Sequence, residues 1–415
     1  MTLRLGCIAD DLTGASDLAG ELVANGMRTM QIIDVPSGPA PDGVDALVIG
    51  LKSRTIPAED AVQRSLEALR WLRAAGAERI YFKYCSTFDS TPLGNIGPVL
   101  SALTRELGAE FSIACPAFPA NRRTVYQGHL FVGDQLLSES GMRHHPLTPM
   151  TDANLVRVLQ AQMQEKVGLI PLQAIHGDRV AQAAAQQIEG GAGVAIADAV
   201  EDDDLRALGR YCAQLPLASG ASGLGAGIAR AVMGGAVSAP AALPSLEGGR
   251  IVLAGSCSEA TRRQVAIMQQ VRPSFQLRLA PDRSPADTVA QAVAWAQEQD
   301  LSQPVLIYAT AAPDEVARQR AIDPDASAVL EEMLADIASR LVDGGVRSLV
   351  LAGGETSGAI LARLAVDRLL IGPEIDPGVP WTVGSSENGP QLLLALKSGN
   401  FGSDQFMIHA WDLLP

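Results

Sequence analysis

The chain has 415 residues, of which 32 are Lys or Arg and 46 are Asp or Glu, so its formal net charge is −14. Hydrophobic residues make up 47% and charged residues 19%, which excludes a disordered chain. The acidic balance and an aromatic content of 4% exclude a general surface for nucleic acid or anionic membrane, but a local group of cations can still bind a small anion.

At about 150 residues per domain, this length predicts two or three domains. The five cysteines are scattered and form no CxxC pair, so neither a zinc site nor a disulfide framework is predicted, and a reducing compartment is expected. The N-terminal apolar run is too short for a signal peptide, and no apolar stretch reaches the roughly 18 residues of a membrane span. We therefore expect a soluble cytoplasmic protein.

Short apolar runs alternate with amphipathic segments from the N-terminus onward, as is typical of an α/β fold with a parallel sheet. The first predicted strands are Leu5–Ala9, Thr29–Ile33, Ala46–Leu51, Arg79–Tyr84 and Phe111–Cys115. The predicted helices between them are Thr13–Asn25, with Thr13 as N-cap, Ala58–Ala75 and Pro98–Leu107.

Residues 124–137 interrupt this alternation, because polar and apolar residues alternate there and Gly128 and Gly133 lie at turn positions. The pattern predicts a hairpin that extends the sheet. A helix near Ala153–Gln164, capped by the Thr-Asp pair before it, and two further strand–helix pairs follow.

The segment Gly234–Gly249 is rich in Pro and Gly and has no periodicity, so we expect a linker between domains at residues 1–233 and 250–415. The strands predicted after it are Ile251–Ala254, Gln276–Leu279, Val305–Tyr308 and Ser348–Leu351. The helices predicted there are Ser258–Gln270, Ala286–Gln299 and Ala326–Val342. Residues 378–409 are expected to be rich in strands.

Two adjacent carboxylates follow the first predicted strand, at the edge of the sheet where α/β proteins hold ligands. Asp10 and Asp11 could bind a polyol hydroxyl, act as a general base or help to hold Mg²⁺; the alternative is a helix cap and turn. Thr13, Ser16 and Asp17 lie in the next turn. The pair also suggests an Asp-x-Asp phosphatase, but adjacent side chains of an extended strand are not expected to face one substrate.

A second polar stretch follows the fourth predicted strand and supplies one cation, two hydroxyls and a carboxylate: Lys83, Ser86, Thr87 and Asp89. These groups could hold a carboxylate and its neighbouring hydroxyls. Lys52 and Arg54, after another strand, would add two cations. Without those cations the stretch would be an ordinary solvated loop. Cys85 is expected to be a packing residue, because no base lies near it in the sequence.

Two glycine-rich turns in the second part of the chain are predicted to bind anions. In residues 253–261 a turn of small residues leads into a helix, where Ser258 is either an ordinary N-cap or part of an anion site. In residues 350–358 a strand is followed by Gly353 and Gly354, hydroxyl residues and a helix, and glycines allow the backbone to approach phosphates closely. The P-loop lysine is missing from this second turn.

Other polar features give weaker signals. Lys397 and the glycine turn after it offer a further cation beside the predicted nucleotide site. His129, His144 and His145 show no metal-ligand spacing. The Gly220–Gly227 segment lacks the GxGxxG spacing of a dinucleotide site, so a loop entering a helix is expected there.

Several longer motifs extend over nearly the whole chain: IADDLTGASDLA, FKYCSTFDSTPLGNIGPV, PAFPANRRTVYQGHLFVG, SGMRHHPLTPMTD, AGSCSEATRRQ, LVLAGGETSGA, GPEIDPGVPW and LALKSGNFG. With these motifs the chain resembles the four-carbon acid sugar kinases. The resemblance implies an α/β fold of two domains, each a mainly parallel sheet flanked by helices, with ligands in the cleft between them. It implies phosphoryl transfer from ATP, with Mg²⁺, to the terminal hydroxyl of a four-carbon 3-oxo acid.

The resemblance also implies site residues. Those expected to contact ATP are Ser258, Gly353, Gly354, Glu355, Thr356 and Gly399. Those expected around the sugar acid are Asp10, Asp11, Arg54, Lys83, Ser86, Thr87 and Asp89, with Asp10 or Asp11 as the base. The alternatives are a D-threonate or D-erythronate kinase, a sugar-acid sensor without catalysis and a phosphatase. No nucleic-acid or membrane partner is expected, and a homodimer is predicted.

Overall fold

The computed structural model describes residues 3–36, 38–144, 148–234, 243–280, 282–386, 389–397 and 399–414. The chain divides into two compact units, Met1–Pro240 and Ala241–Pro415. Within the described ranges, no helix combines the length and the apolar character needed to cross a membrane. Residues 235–242 of the predicted linker and His145 lie outside the described residues.

The first unit contains eleven of the described strands and eight of the described helices. The strands are β1 (Leu5–Ala9), β2 (Thr29–Ile33), β3 (Ala46–Gly50), β4 (Ile80–Lys83), β5 (Ser112–Cys115), β6 (Arg123–Tyr126), β7 (His129–Val132), β8 (Gln135–Leu136), β9 (Lys166–Ile170), β10 (Ala192–Ala197) and β11 (Leu217–Gly220). The helices are α1 (Leu12–Ala24), α2 (Ala58–Ala74), α3 (Ile96–Glu106), α4 (Leu155–Gln160), α5 (Leu172–His176), α6 (Val180–Glu189), α7 (Asp202–Cys212) and α8 (Ser222–Val232).

Eight strands of the first unit form a parallel sheet in the order β2-β3-β1-β4-β11-β5-β10-β9. Every residue of β1, β3, β4, β5 and β11 is buried, as expected of strands covered on both faces. The chain leaves β1 toward the β2 edge and leaves β4 toward the opposite edge. Open α/β sheets bind ligands at the carboxyl ends of neighbouring strands whose connections run to opposite edges of the sheet. The fold therefore predicts a ligand site at the ends of β1 and β4.

The predicted hairpin is present but does not extend the main sheet, which corrects the prediction. β6, β7 and β8 form a separate antiparallel sheet. Its first turn has Gln127 and Gly128 at φ 48° and 70°, and the N–H groups of both residues donate to the Asp198 carboxylate at 2.9 Å. The turn is therefore anchored by the side chain that follows β10, and Val125 of β6 pairs with Ala199, which belongs to no strand.

The second unit has the same alternation with an antiparallel edge. Its strands are β12 (Gly249–Ala254), β13 (Ser274–Gln276), β14 (Val305–Tyr308), β15 (Val346–Ala352), β16 (Arg368–Asp376), β17 (Val379–Ser385) and β18 (Leu392–Lys397). Its helices are α9 (Glu259–Met268), α10 (Pro285–Gln297), α11 (Pro313–Ile322), α12 (Ala326–Asp343), α13 (Gly354–Arg363) and α14 (Phe406–His409). The strand order is β13-β14-β12-β15-β18-β17-β16, and only the pairs of β17 with β18 and with β16 are antiparallel among the described pairs.

Helix starts differ from the predictions at several places; α3, for example, begins at Ile96 and not at Pro98. α1 is capped by Asp11, whose Oδ1 accepts the Gly14 N–H at 3.0 Å, so Thr13 is not the N-cap. α4 is capped by Asn154 and is shorter than predicted. In both cases a side-chain oxygen of the observed cap accepts a free N–H group of the first helical turn.

The Gly220–Gly227 segment enters a helix as predicted, but the loop is shorter than expected because α8 already begins at Ser222. A Cβ at Gly227 would lie 2.2 Å from the Leu205 carbonyl oxygen, and a Cβ at Gly209 would lie 2.2 Å from the Gly227 carbonyl carbon. These glycines let α7 and α8 touch along their backbones. The C-terminal region is strand-rich as predicted but ends in the short helix α14.

Candidate active site

The ends of β1, β3 and β4 bring the predicted acids and cations of the first unit together. Ala9, the last residue of β1, pairs with Gly50 of β3 on one side and with Lys83 of β4 on the other. Asp10 and Arg54 follow these strands, and the N–H groups of Ser53 and Arg54 donate to the Asp10 carbonyl at 2.9 and 3.2 Å. The backbone therefore fixes the distance between the acid and the guanidinium.

Arg54 is the centre of a cluster of carboxylates. Its Nε and Nη2 donate to the two Asp10 carboxylate oxygens at 2.9 and 2.7 Å, and Nη2 also donates to Asp11 Oδ1 at 2.7 Å. Asp89 Oδ2 lies 3.8 Å from Arg54 Nη1. Asp10 and Asp11 both contact Arg54 although they are adjacent, because β1 ends at Ala9 and Asp11 is already the helix cap, so the expectation for an extended strand does not apply to them.

The two adjacent acids differ in their electrostatics. Burial raises the pKa of Asp10 above its usual value, and Arg54 offsets this only in part. Burial also raises the pKa of Asp11, but Arg54, Lys83 and hydrogen bonds from Thr13 and Gly14 outweigh it, so the net shift is downward. Asp11 is therefore a stable carboxylate and a weak base. Asp10 is the more basic of the two carboxylates, but both of its oxygens accept hydrogen bonds from Arg54.

The stretch after β4 supplies the remaining predicted groups. Lys83 is 2% exposed and donates to the Tyr84 carbonyl at 3.2 Å. Thr87 Oγ1 donates to Asp89 Oδ1 at 2.5 Å. The Ser86 hydroxyl has no partner among the described residues, so it is free to bind a ligand. Phe88, between Thr87 and Asp89, is fully buried at φ 52°, a strained conformation that turns the chain beside the cluster.

Two residues of this region behave differently from the predicted binding groups. Lys52 is exposed and forms no ion pair within the described ranges, so only Arg54 of the two predicted cations joins the cluster. Burial raises the pKa of the Cys85 thiol to about 11, which keeps it protonated and supports the packing role.

Asn95 is a residue that the sequence did not single out as part of the site. Its Nδ2 lies within hydrogen-bond distance of the carbonyls of Ser53, Arg54 and Ile56, at 2.7, 3.2 and 2.9 Å. It thus ties the loop that carries Arg54 to the start of α3. Its position directly before a helix is the one signal in the sequence, and it suggests a cap, not this long-range link.

In the second unit, two glycines let neighbouring strand–helix turns approach closely. A Cβ at Gly255 would lie 2.2 Å from Thr356 Oγ1, and a Cβ at Gly353, at φ 136°, would lie 2.8 Å from the same atom. The Gly353 N–H donates to the Lys397 carbonyl at 2.8 Å. Thr310 Oγ1, which sequence reasoning missed, donates to the Ser256 carbonyl at 2.8 Å and holds the first turn.

Three predicted nucleotide residues have side chains or carbonyls engaged within the fold. Ser258 caps α9: its Oγ accepts the Thr261 N–H at 3.2 Å and donates to the Gly399 carbonyl. Lys397 is fully buried, and its Nζ donates to Thr261 Oγ1 at 2.9 Å and to the Gly399 carbonyl at 3.1 Å. Burial lowers the pKa of Lys397 to about 8. The expectation that Lys397 offers a cation to a ligand is therefore wrong.

A cavity of about 300 Å³ opens beside these turns. One wall is formed by the two turns and includes Gly353, Gly354, Glu355 and Thr356. The rest of the lining comes from the region after β14 and from α11 and α12. It includes apolar side chains (Ala309, Ala311, Val316, Leu330 and Leu334) and polar ones (Gln319, Arg320, Ser327 and Glu331). A polar end made of backbone N–H groups and a slot with apolar side chains fit a nucleotide's phosphates and base.

Within the described residues, the group with metal-binding geometry is His176, Glu201 and Asp204. It lies at the surface, at the start of α7. Asp204 Oδ2 accepts the N–H groups of Val200 and Glu201 at 2.8 and 3.1 Å, so this carboxylate serves the helix cap. The group contains none of the predicted site residues.

Two family models match the chain: a sugar-binding N-terminal domain over residues 5–228 and a nucleotide-binding C-terminal domain over residues 251–407. A 3-oxo-tetronate kinase from Burkholderia multivorans is 54% identical over 410 residues, covering 97% of this chain and 95% of that protein. The chain belongs to the four-carbon acid sugar kinase family. A Salmonella typhimurium 3-oxo-tetronate kinase is 45% identical, covering 98% of both chains. These members of the kinase family confirm the resemblance found in the sequence motifs.

Solved structures agree with the fold of this kinase family member. A crystal structure of a Salmonella typhimurium LT2 protein, described as a tRNA synthase, has a TM-score of 0.93 at 42% identity and covers 100% of both chains. A Haemophilus influenzae protein has a TM-score of 0.88 at 41% identity, covering 99% of this chain and 100% of that one. The predicted α/β architecture is confirmed.

Proposed function

We propose that this protein transfers the γ-phosphoryl group of ATP to the 4-hydroxyl of a 3-oxo-tetronate, as a cytoplasmic enzyme of sugar-acid breakdown. The observation that carries the proposal is the 54% identity to a 3-oxo-tetronate kinase over 97% of the chain. In this proposal residues 1–233 bind the sugar acid, residues 234–249 link the two domains, and residues 250–415 bind the nucleotide.

The cluster at the ends of β1, β3 and β4 suits a small polyhydroxy acid. Lys83 and Arg54 are cations that neutralise the substrate carboxylate, and Ser86 and Thr87 supply hydroxyls for its oxygens. Asp89 and Asp10 accept hydrogen bonds from substrate hydroxyls. Both signs of charge within one buried site recognise a molecule that is anionic at one end and hydroxylated along its length.

Proton removal from the 4-hydroxyl is assigned to Asp10 or Asp11. The raised pKa of Asp10 favours it as the base, because a base must be able to hold the proton it takes. Its two oxygens must then be partly released from Arg54 when the substrate carboxylate draws the guanidinium toward itself. Asp11, with its lowered pKa, suits charge stabilisation instead.

The nucleotide is assigned to the cavity of the second unit. The N–H groups at the start of α13 face the phosphates, and Gly353 and Gly354 allow their close approach. Glu355, at the rim, is exposed, and its carboxylate has no partner among the described residues, so it fits a ligand for Mg²⁺, which prefers carboxylate oxygens. Bound Mg²⁺ would neutralise charge on the phosphates.

The test is ADP release from Mg-ATP with freshly prepared 3-oxo-tetronates and, in parallel, D-threonate and D-erythronate. We expect strong release with a 3-oxo acid and little with the reduced acids. ADP release only with a reduced acid would change the assigned substrate but not the assigned reaction. Binding of both ligands without ADP release would favour a sensor, and hydrolysis of the phosphorylated acid without ATP would favour a phosphatase.

A further inference from the structure

Beside the cluster lies a partly buried carboxylate that the proposed function does not use. Asp17, on α1, places Oδ2 3.9 Å from Lys83 Nζ. The same oxygen accepts a hydrogen bond from the Ser222 hydroxyl. Lys83 and Ser222 are buried at 2% and 0% exposure, and the Asp17 side chain is 21% exposed. The three groups form a chain that runs from the start of α8 to the end of β4.

The position of Ser222 is fixed by the backbone around it. Gly220, the last residue of β11, pairs with Lys83, and its carbonyl accepts the Tyr84 N–H at 3.1 Å. The Tyr81 hydroxyl donates to the Ala221 carbonyl at 2.5 Å. A Cβ at Gly220, at φ 158°, would lie 2.1 Å from the Cys115 carbonyl oxygen. The backbone at the start of α8 is therefore held in place, and the Ser222 hydroxyl is oriented by its hydrogen bond to Asp17.

A buried ammonium is costly unless it has a partner of opposite charge. Besides its contact with Asp17, Lys83 Nζ donates to the Tyr84 carbonyl at 3.2 Å. A Cβ at Gly14 would lie 3.1 Å from Lys83 Nζ, so this glycine leaves room for the ammonium beside the Asp11 turn. The Lys83 ammonium thus lies near both the Asp17 carboxylate and the turn that contains Asp11 and Gly14.

Burial raises the pKa of Asp17, while Lys83 and the Ser222 hydroxyl act in the opposite direction. The carboxylate therefore depends on those two partners for its charge. An isolated pair of this kind is often replaceable by packed apolar groups without loss of stability. Its presence at the edge of the cluster points to a role in the site.

We propose that Asp17, oriented by Ser222, is a positioning residue that holds the Lys83 ammonium toward the sugar acid. The proposal rests on the proposed function, in which Lys83 binds the substrate carboxylate. Asp17 acts through Lys83 and does not touch the substrate.

The first test compares Asp17→Asn and Ser222→Ala with matched controls. Asp45→Asn removes a buried carboxylate that pairs with Arg28 at 3.3 Å just before β3, at the other end of the sheet. Ser65→Ala removes a buried hydroxyl of α2 that has no partner among the described residues. We expect the KM for the sugar acid to rise about tenfold in Asp17→Asn and less in Ser222→Ala, the size expected for a weakened charge contact.

In these two variants kcat and the KM for ATP should stay within about twofold of wild type, and the controls should leave both KM values unchanged. A general loss of folding would lower the active fraction and hence kcat, so it cannot produce this split. A fall in kcat with an unchanged sugar-acid KM would overturn the proposal, because it would make Asp17 part of the chemistry.

The second test is a double-mutant cycle with Lys83→Met, which keeps the volume and removes the charge. If Asp17 acts through Lys83, Asp17→Asn should have no further effect on the sugar-acid KM in the Lys83→Met background. Additive effects would overturn the proposal. Lack of wild-type turnover on every sugar acid would instead overturn the proposed function. The same four proteins would then be compared by urea unfolding, where a non-additive loss supports the Asp17–Lys83 link and an additive loss refutes it.

Discussion

Replacement of Arg54 by Met should destabilise the first unit by about 3 kcal/mol near neutral pH, because it leaves a buried carboxylate without its partner. Asp10 is 6% exposed, and Arg54 donates to both of its oxygens. Breaking a buried pair costs about 3–5 kcal/mol, and we take the lower end because the Arg54 side chain is 21% exposed. Met keeps most of the volume, so the cavity contribution is small.

The loss should depend on pH in a defined direction. Burial already holds the pKa of Asp10 above its usual value, and the loss of Arg54 raises it further. A group whose pKa is higher in the folded state stabilises the fold fully below its unfolded pKa and loses that contribution as pH rises through the folded pKa. The difference in unfolding free energy between wild type and Arg54→Met should therefore be largest at about pH 7.5 and shrink on acidification toward about pH 5.

The assay is urea unfolding followed by hydrogen exchange in peptides of the first unit, at several pH values. The matched control is the double variant Asp10→Asn/Arg54→Met, which also removes the charge of the most buried carboxylate and should recover at least about half of the loss, although Asp11 and Asp89 still lack Arg54. A loss below about 1 kcal/mol, an equal loss in the double variant, or a deficit that grows on acidification would refute the reasoning.

Two further predictions concern the second unit. Gly353→Ala should raise the KM for ATP about tenfold or more and leave the sugar-acid KM unchanged, because the new Cβ would meet Thr356 Oγ1 at 2.8 Å. Gly345→Ala, at φ 103° with open space around it, is the control for backbone strain. An equal rise in the KM for ATP in Gly345→Ala would contradict the explanation. The pKa of Lys397 in the folded protein is lowered to about 8, so the folded state releases this proton at a lower pH than the unfolded state does. The unfolding free energy of wild type should therefore rise by about 1 kcal/mol relative to Lys397→Met between about pH 7.5 and 9. A difference in urea unfolding that stays constant across that range would contradict this prediction.

Local sequence patterns were sufficient to predict most strands of both sheets. Fully buried parallel strands appear as short apolar runs, and β1 and β14 match their predicted bounds. Exact helix starts were less predictable, because Asp11 and Thr13 are both good caps and the choice depends on which oxygen meets the free N–H groups. The order of strands in the sheet is a non-local property, so the hairpin was wrongly added to the main sheet.

The candidate site was predictable as a set of residues but not as an arrangement. Arg54 lies more than forty positions from Asp10, and their contact follows from the adjacency of β1 and β3. The links made by Asn95 and Ser222 depend on loops and on a distant strand end, for which no local pattern exists. Whether the Lys397 side chain is buried or exposed depends on the packing of β18, and the sequence around this lysine does not show it.

The most direct test of the central claim is to identify where the phosphoryl group goes. Wild-type enzyme is incubated with Mg-ATP and a 3-oxo-tetronate, and the acid is analysed by phosphorus–proton correlation NMR. The account predicts one phosphate on the C4 oxygen for each ADP formed. ADP formation without a phosphorylated acid, or phosphate on another oxygen, would contradict it.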